Sequence, residues 1–299
     1  WIVNANNPTP KADNPHALGR NRSAGYRARR AEALLAARTR HDADSMGAMQ
    51  MDTLSLMARD LLPLLHRAKP QTDTGRAALA LMAGWDGTMA ADRPQPLIFM
   101  AWLTGLQKRL FGDELGPLYD AWRGLHPLSV RDALTTTRHW CDDTTTPARE
   151  NCDSQIGGAL DDAAHALTDR HGNDPAAWRW GAAHQARLDH PVLGRIPVIG
   201  YLFNRRVAVA GGAVTLNRGL MHMTSAEAPF ASVHGAGFRA VYDLSNLDAS
   251  RFVIATGQSG NMLSSHYDDF IARWRAGGFV RLGSAPPDAR QLRLRPARR

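Results

Sequence analysis

The sequence lacks the signatures of several large protein classes. No apolar run approaches the roughly 18–20 residues of a membrane-spanning helix, so we predict that the chain does not cross a membrane. It contains no GxSxG, HExxH, P-loop or dinucleotide-binding motif, which leaves the common hydrolase, zinc-protease and nucleotide-binding classes without support. At 44% apolar and 21% charged residues among 299, the composition is that of a globular protein and excludes wholesale disorder.

Acidic residues are fewer than basic ones, and the formal net charge is +8. Much of the excess is arginine in two clusters, at 20–40 and in a basic tail at 285–299. Nucleic-acid-binding surfaces combine such charges with stacking aromatic side chains, and neither cluster has more than one aromatic residue nearby. We therefore predict that nucleic acid is not a partner and that the tail is solvated.

Cysteine is scarce, with only Cys141 and Cys152 in the segment HWCDDTTTPARENC. Two unpaired thiols are one interpretation, and a metal site is another, although His139 alone stands nearby as a further soft ligand. A disulfide that closes this short polar loop is the interpretation we favour. It would stabilise the chain by about 2–3 kcal/mol and would indicate an oxidising compartment such as a periplasm.

A helical region lies between two β-rich ends. The Ala/Leu/Arg-rich segment 27–38 predicts a helix, and Asp44 or Ser45 can cap a next helix whose apolar positions continue at helical spacing to Leu65. Pro63 could kink this second helix, and Pro70 would end it. Further helical patterns follow as far as residue 169.

Residues 2–7 and the part of the chain after Trp178 favour strands. The segments VIGYLF, RRVAVA and AVTL predict short strands, and 238–244 with 251–256 predicts two strands of one sheet. A last helix is expected from Ser264 or Ser265 to Ala276, where two glycines follow. This order predicts an α+β fold whose sheet is incomplete within this chain.

Histidines and amides supply the candidate chemical groups. His184 with His190, or His266 with Asp268 and Asp269, could hold a metal, but the six-residue spacing of the first pair is not a helical one. We favour hydrogen-bonding roles for them, with residues 266–268 positioning the GQSGN loop. No metal site is predicted.

Three amide side chains stand within four residues in Asn4-Ala5-Asn6-Asn7. Asparagines in such a segment often hydrogen-bond to the backbone of a turn. Alternatively, one carboxamide NH₂ could donate a hydrogen bond to the oxyanion of an acyl-transfer reaction, where losing a donor costs about 10²–10³ in rate. The residues by themselves leave both interpretations open.

An ordered series of motifs resembles the penicillin acylase (penicillin amidase) family of N-terminal-nucleophile hydrolases. The series spans about residues 2–282 and comprises IVNANNP, YRARRAEALL, DSMGAMQMDTLSLMARDLLPLL, MAGWDGTMAAD, FMAWLTGLQKRLFGDEL, WCDD…ENC, DPAAWRWGAAHQARLDHP and HGAGFRAVYDLSNLDASRFVIATGQSGNMLSSHYDDFIARW. The resemblance implies part of an αββα sandwich with a large helical insertion. It divides the chain into a core strand and active-site loop (1–25), a helical region (26–170), a β-rich return with a final helix (171–284) and the basic tail (285–299).

The resemblance also implies a mechanism and partners. In this family a Ser freed by autoproteolysis attacks a linear amide between an acyl group and an amine, such as a β-lactam nucleus or a homoserine lactone. Asn6 matches the oxyanion asparagine and Arg27 the active-site arginine. The implied partners are an α chain and the N-terminal part of the β chain from the same periplasmic or secreted precursor, together with a small-molecule amide.

Two features depart from the family pattern. No serine here opens a chain in the family's way, and with Trp1 as first residue we expect a processed chain or a fragment. We expect no turnover from this chain alone. The resemblance implies no required cofactor. Its calcium ligand would fall where this sequence has His16 and Ala17, with Asp13 slightly early, so calcium binding is not supported. The alternative is a degenerate member with a binding or structural role only.

Overall fold

The structure is a computed structural model that describes residues 1–7, 24–122, 124–221, 223 and 225–283. The chain divides into two compact units. The first comprises Trp1–Arg40 and Met49–Ala236, and the second comprises His41–Ala48 and Gly237–Arg299. The calcium-related positions 13, 16 and 17 and the basic tail lie outside the described residues.

Helices dominate the first unit. In chain order they are α1 (Tyr26–Ala36), α2 (Ala43–Gln50, whose first residues belong to the second unit), α3 (Leu56–Leu65), α4 (Asp73–Met82), α5 (Gln95–Leu115), α6 (Tyr119–Trp122), α7 (Pro127–Thr135), α8 (Cys152–His171), α9 (Trp180–Ala183) and α10 (Pro197–Phe203). Helix α5 packs on α8, and the fully buried Trp102 donates its indole N–H to the carbonyl of Ile156 at 2.9 Å. Because residues 96–103 of α5 are all apolar and all buried, this half of the helix forms the centre of the core.

The single helix predicted from Asp44 or Ser45 to Leu65 is wrong. The chain forms α2 and α3 with a break between them, where the carboxylate of Asp52 accepts the backbone N–H of Leu54. The cap of α2 is Asp42, whose Oδ1 accepts the N–H of Ser45 at 2.7 Å. Pro63 lies inside α3. Side-chain hydrogen bonds to the backbone thus override the apolar periodicity.

A four-stranded sheet completes the first unit. Its order is β2 (Arg205–Ala208), β1 (Gln185–Leu188), β4 (Ser232–Gly235) and β3 (Gly219–Met221), and β1 pairs antiparallel with β2 and parallel with β4. The strand predicted in RRVAVA is confirmed. The segment VIGYLF instead forms α10, with Pro197 as its first residue, and AVTL forms a turn.

The second unit contains an antiparallel sheet in the order β5 (Phe238–Val241), β6 (Arg251–Ile254) and β7 (Val280–Arg281), with helix α11 (Ile271–Arg275). The predicted pair of strands is confirmed. The last helix begins at Ile271 rather than at Ser264 or Ser265, because the Ser264 hydroxyl accepts the His266 N–H and keeps this segment in a turn.

The described residues confirm the α+β class. Over the part of the chain that the structure describes, no helix is long and apolar enough to cross a membrane.

Candidate functional site

The amide-rich segment at the start of the chain forms a tight turn. Asn7 Oδ1 accepts the N–H of Ala5 at 2.9 Å, and Asn4 Oδ1 accepts the N–H of Asn6 at 3.1 Å. Asn6 has a φ of 61°, the left-handed region that Asn tolerates better than most residues. The strand predicted over 2–7 is wrong, because these side-chain bonds curl the backbone. Two of the three amides hold the turn, and Asn6 projects from it.

Arg27 lies in the first turn of α1. Gly25 precedes the helix with a φ of 71°, a backbone conformation that glycine adopts without strain. Tyr26 anchors this end of the helix, with only 2% of its surface exposed. Burial, assisted by the nearby charge of Asp60, raises the pKa of the Tyr26 phenol to about 12. The helix therefore begins at a fixed place, one residue before the arginine.

The structure brings the two predicted site residues together. Arg27 donates a hydrogen bond from its terminal nitrogen to Asn6 Oδ1 at 2.8 Å. A guanidinium can only donate, so it selects the oxygen end of the carboxamide as its partner. The NH₂ group of Asn6 is consequently directed away from Arg27, as a neutral donor. This is the polarity that stabilisation of an oxyanion requires.

The charge of a second arginine, Arg218, acts on Arg27. Burial, together with the charge of Arg218, lowers the pKa of Arg27 from its ordinary value, although a guanidinium remains charged at neutral pH. Arg218 follows a turn far along the chain and donates its Nε–H to the carbonyl of Ala213 at 3.3 Å. Sequence reasoning missed Arg218, because no local pattern links it to α1. A positive charge at Arg27 beside Asn6 would favour a negative charge that develops there.

The remaining candidate residues lie elsewhere and form no metal centre. Cys141 and Cys152 form the predicted disulfide. His184 is fully buried, with Nδ1 at 2.7 Å from the carbonyl of Phe230, and the Nδ1 of His266 lies 2.8 Å from a carboxylate oxygen of Asp269. No group of three metal-ligating side chains occurs among the described residues. The hydrogen-bonding interpretation of these histidines fits the contacts.

A groove of about 1060 Å³ lies along α5 and α8, with Lys108 and Asp162 in its wall, and contains neither Asn6 nor Arg27. Its side chains are occupied with one another: Arg109 donates to Asp162 at 2.9 Å and to Gln155 at 3.1 Å. A hydroxyl–carboxylate contact between its described lining residues, from Thr145 to Asp143 Oδ1 at 2.6 Å, belongs to a local turn in which the same oxygen also accepts the Thr145 backbone N–H. Its size alone does not make it the reactive site.

Comparison with known proteins decides the family. The sequence profile described as Penicillin amidase matches residues 1–291. The chain belongs to the penicillin amidase family. Members of this family are acylases, hydrolases that act on amides.

Curated relatives include both kinds of acylase. The chain is 29% identical to an acyl-homoserine lactone acylase QuiP of Pseudomonas putida, over 94% of this chain and 37% of the relative. It is 28% identical to the penicillin acylase 2 proenzyme of a Pseudomonas species, over 91% of this chain and 35% of that protein. The chain thus spans little more than a third of the length of these penicillin amidase relatives.

A solved structure shows the same fold. The thermostable penicillin G acylase of Alcaligenes faecalis superposes with a TM-score of 0.57 and 16% identity, covering 99% of this chain and 57% of that one. The predicted fold class, an α+β chain with part of the fold of the N-terminal-nucleophile hydrolases, is confirmed.

Proposed function

We propose that this penicillin amidase chain is the C-terminal portion of an acylase that cleaves a linear amide between an acyl side chain and an amine nucleus. The amine would be of the β-lactam or N-acyl homoserine lactone type. The observation that carries the proposal is the 2.8 Å hydrogen bond between Arg27 and Asn6, which directs the Asn6 NH₂ group outward. Family membership and the names of the relatives support the reaction class.

The proposed nucleophile is an N-terminal Ser outside these 299 residues. Its hydroxyl oxygen attacks the amide carbon, and its own α-amino group, with a reference pKa of about 7.7–8.0, takes the proton. The Asn6 NH₂ group donates to the oxyanion that forms on the carbonyl oxygen. The C–N bond then breaks, the amine leaves with the proton, and water hydrolyses the acyl-enzyme.

Arg27 has a supporting role in this proposal. As a donor-only group it prevents the Asn6 carboxamide from flipping, and its charge acts on the surroundings of the nucleophile and on the polar end of the substrate. No cofactor is required by this chemistry, because the base and the oxyanion donors are protein groups.

The proposed partners are the α chain and the N-terminal part of the β chain from the same precursor. The proposed location is periplasmic or secreted. The Cys141–Cys152 disulfide supports this location, since disulfides persist in oxidising compartments.

A substrate panel against the full-length precursor tests the proposal. Phenylacetyl, glutaryl and long-chain acyl amides would be compared, and at least one should be hydrolysed. Asn6→Ala should lower kcat by about 10²–10³-fold with the circular dichroism spectrum unchanged, since it removes one oxyanion donor. The exposed Asn246→Ala is the matched control and should keep full activity.

Two results would contradict the proposal. If the mature protein hydrolyses none of the amides, a family member with a binding or structural role only is the better description. If a substrate is found and Asn6→Ala turns it over at the original rate, Asn6 is not the oxyanion donor.

A further inference from the structure

Asp52 lies in the break between α2 and α3 and accepts hydrogen bonds from Arg30 of α1. Its two carboxylate oxygens accept both nitrogens on one side of the Arg30 guanidinium, Nε at 2.9 Å and the terminal nitrogen at 2.6 Å. The two side chains are largely shielded from water, with 22% and 16% of their surfaces exposed. These hydrogen bonds raise the pKa of Arg30 above its ordinary value. A two-pronged pair of this kind fixes both distance and direction.

The backbone around Asp52 is itself held from two sides. The carbonyl of Thr53 accepts the N–H of Met89 at 3.0 Å, and Leu54 forms a bridge with Thr88. The carbonyl of Asp52 accepts the N–H of Asn217 at 2.9 Å. Asn217 adjoins Arg218, the cation whose charge acts on Arg27. Asp52 therefore connects the bridged backbone of residues 52–54 and 88–89 to both α1 and the segment that carries Arg218.

Within the described residues, helix α1 also packs on α3, where the exposed Arg29 lies 3.6 Å from a carboxylate oxygen of Asp60, but few apolar side chains fix its orientation. Of its eleven residues only Tyr26 and Ala28 are buried. Arg27 and Arg30 are three positions apart and thus lie on the same side of the helix. A rotation of α1 that the Arg30 pair now prevents would move the Arg27 guanidinium away from Asn6. The position of a helix with few apolar contacts depends on such polar bonds.

We propose that Asp52 is a positioning residue of the acylase reaction, acting through Arg30 and α1 to hold Arg27 against Asn6. The inference rests on the proposed function. The hydrogen bonds of the Asp52 carboxylate go to Arg30 and to the N–H of Leu54 rather than to the Asn6 carboxamide, so its proposed effect passes through the orientation of the Asn6 NH₂ group. That orientation matters in the transition state, where the oxyanion exists, and much less for substrate binding.

Kinetics of the full-length protein separate positioning from a general loss of structure. Asp52→Asn and Arg30→Gln should each lower kcat by about 10–100-fold, with KM changed less than about twofold, because a small displacement of a catalytic group has an effect of this size. In the Asn6→Ala background, Asp52→Asn should lower kcat by less than about a further twofold, because Asn6 is no longer there to be oriented. Asp162→Asn, which weakens another arginine–aspartate pair in which both Arg109 nitrogens meet one carboxylate oxygen, should leave kcat unchanged.

A second readout does not need activity. Hydrogen–deuterium exchange of the peptide covering Tyr26–Ala36 should become about tenfold faster in Asp52→Asn and should stay unchanged in Asp162→Asn, since only the first variant frees α1. Unchanged exchange in Asp52→Asn would overturn the inference. So would a kcat loss that adds in full to that of Asn6→Ala. Absence of turnover in the parent protein would overturn the proposed function, and the exchange result would still decide whether Asp52 holds α1.

Discussion

Helices α1 and α5 belong to the same unit, and different forces hold them. Only two of the eleven residues of α1 are buried, whereas twelve of the 21 residues of α5 are buried. Helix α5 is fixed by apolar contact over most of its length, and a buried Leu or Phe contributes about 1.5–3 kcal/mol. Helix α1, which carries Arg27, is fixed at one end by Tyr26 and along its side by the bond from Arg30 to Asp52.

This difference means that the contacts that stabilise the fold and the contacts that orient the candidate site residues are of different kinds. Apolar packing supplies most of the free energy of folding but has little direction, while charged hydrogen bonds supply direction at small net stability. The comparison therefore predicts that changes in the α5 core unfold the protein, whereas changes around Asn6 alter chemistry in a folded protein.

The largest effect on stability is expected for Trp102→Ala. This side chain is fully buried, and its N–H donates to the carbonyl of Ile156, so its removal leaves a cavity and deletes this hydrogen bond between α5 and α8. The free energy of unfolding should fall by about 3–5 kcal/mol, measured by denaturant titration. Trp1→Ala, at a site that is 74% exposed, should change it by less than about 0.5 kcal/mol. Equal losses from both variants would remove the contrast between core and site.

His184 gives the next largest effect, through pH. Burial lowers the pKa of this imidazole from 6.5 to about 4, with the hydrogen bond to Phe230 opposing the shift. Because the unfolded chain binds the proton first, stability is fully present above about pH 6.5 and is lost as the pH falls toward 4. The total loss should be about 3 kcal/mol.

Denaturant titrations between pH 7 and pH 4 measure this loss. His184→Gln should flatten the profile in that window, whereas replacing the exposed His165 by Gln should leave the profile as it was. A parent profile that does not change between pH 6.5 and 4 would contradict the assignment.

The smallest of these effects belongs to the disulfide. Cys141 and Cys152 are eleven positions apart, so the closed loop is short and its removal should lower the free energy of unfolding by about 2–3 kcal/mol. Denaturant titration of the double variant Cys141→Ala/Cys152→Ala and of the reduced and oxidised parent protein measures this loss. The reduced parent should match the double variant, while hydrolysis by the folded protein should not change. A loss of activity at conserved stability would link this loop to the site.

Local patterns predicted many elements and missed others for identifiable reasons. The Ala/Leu/Arg-rich composition of 27–38 located α1, and β-rich runs separated by turn residues between 238 and 256 located β5 and β6. The pattern failed at Asp52, at VIGYLF and at Ile2–Asn7. At Asp52 and in the amide turn, a side chain takes over a backbone hydrogen bond, which hydropathy does not register.

Asn6 and Arg27 stay predicted site residues, and the sequence indicated nothing about the contact between them. Asn6 and Arg27 were identified from motifs in a fixed order, and the structure adds the bond between them. Arg218 and Asp52 were missed because their relation to α1 is formed by segments distant in sequence.

By itself the sequence determined the family and the α+β class, favoured the disulfide and indicated the two residues with which the reaction is proposed to proceed. Order and residue type along the chain carry that information. Only the tertiary structure decided which end of the Asn6 carboxamide faces Arg27 and which residue, Asp52, pairs with Arg30 on α1. The physical reason is that the direction of a hydrogen bond depends on how two segments distant in sequence are placed relative to each other. The residues next to Asn6 or Arg30 in the sequence do not indicate which distant residue will be the partner.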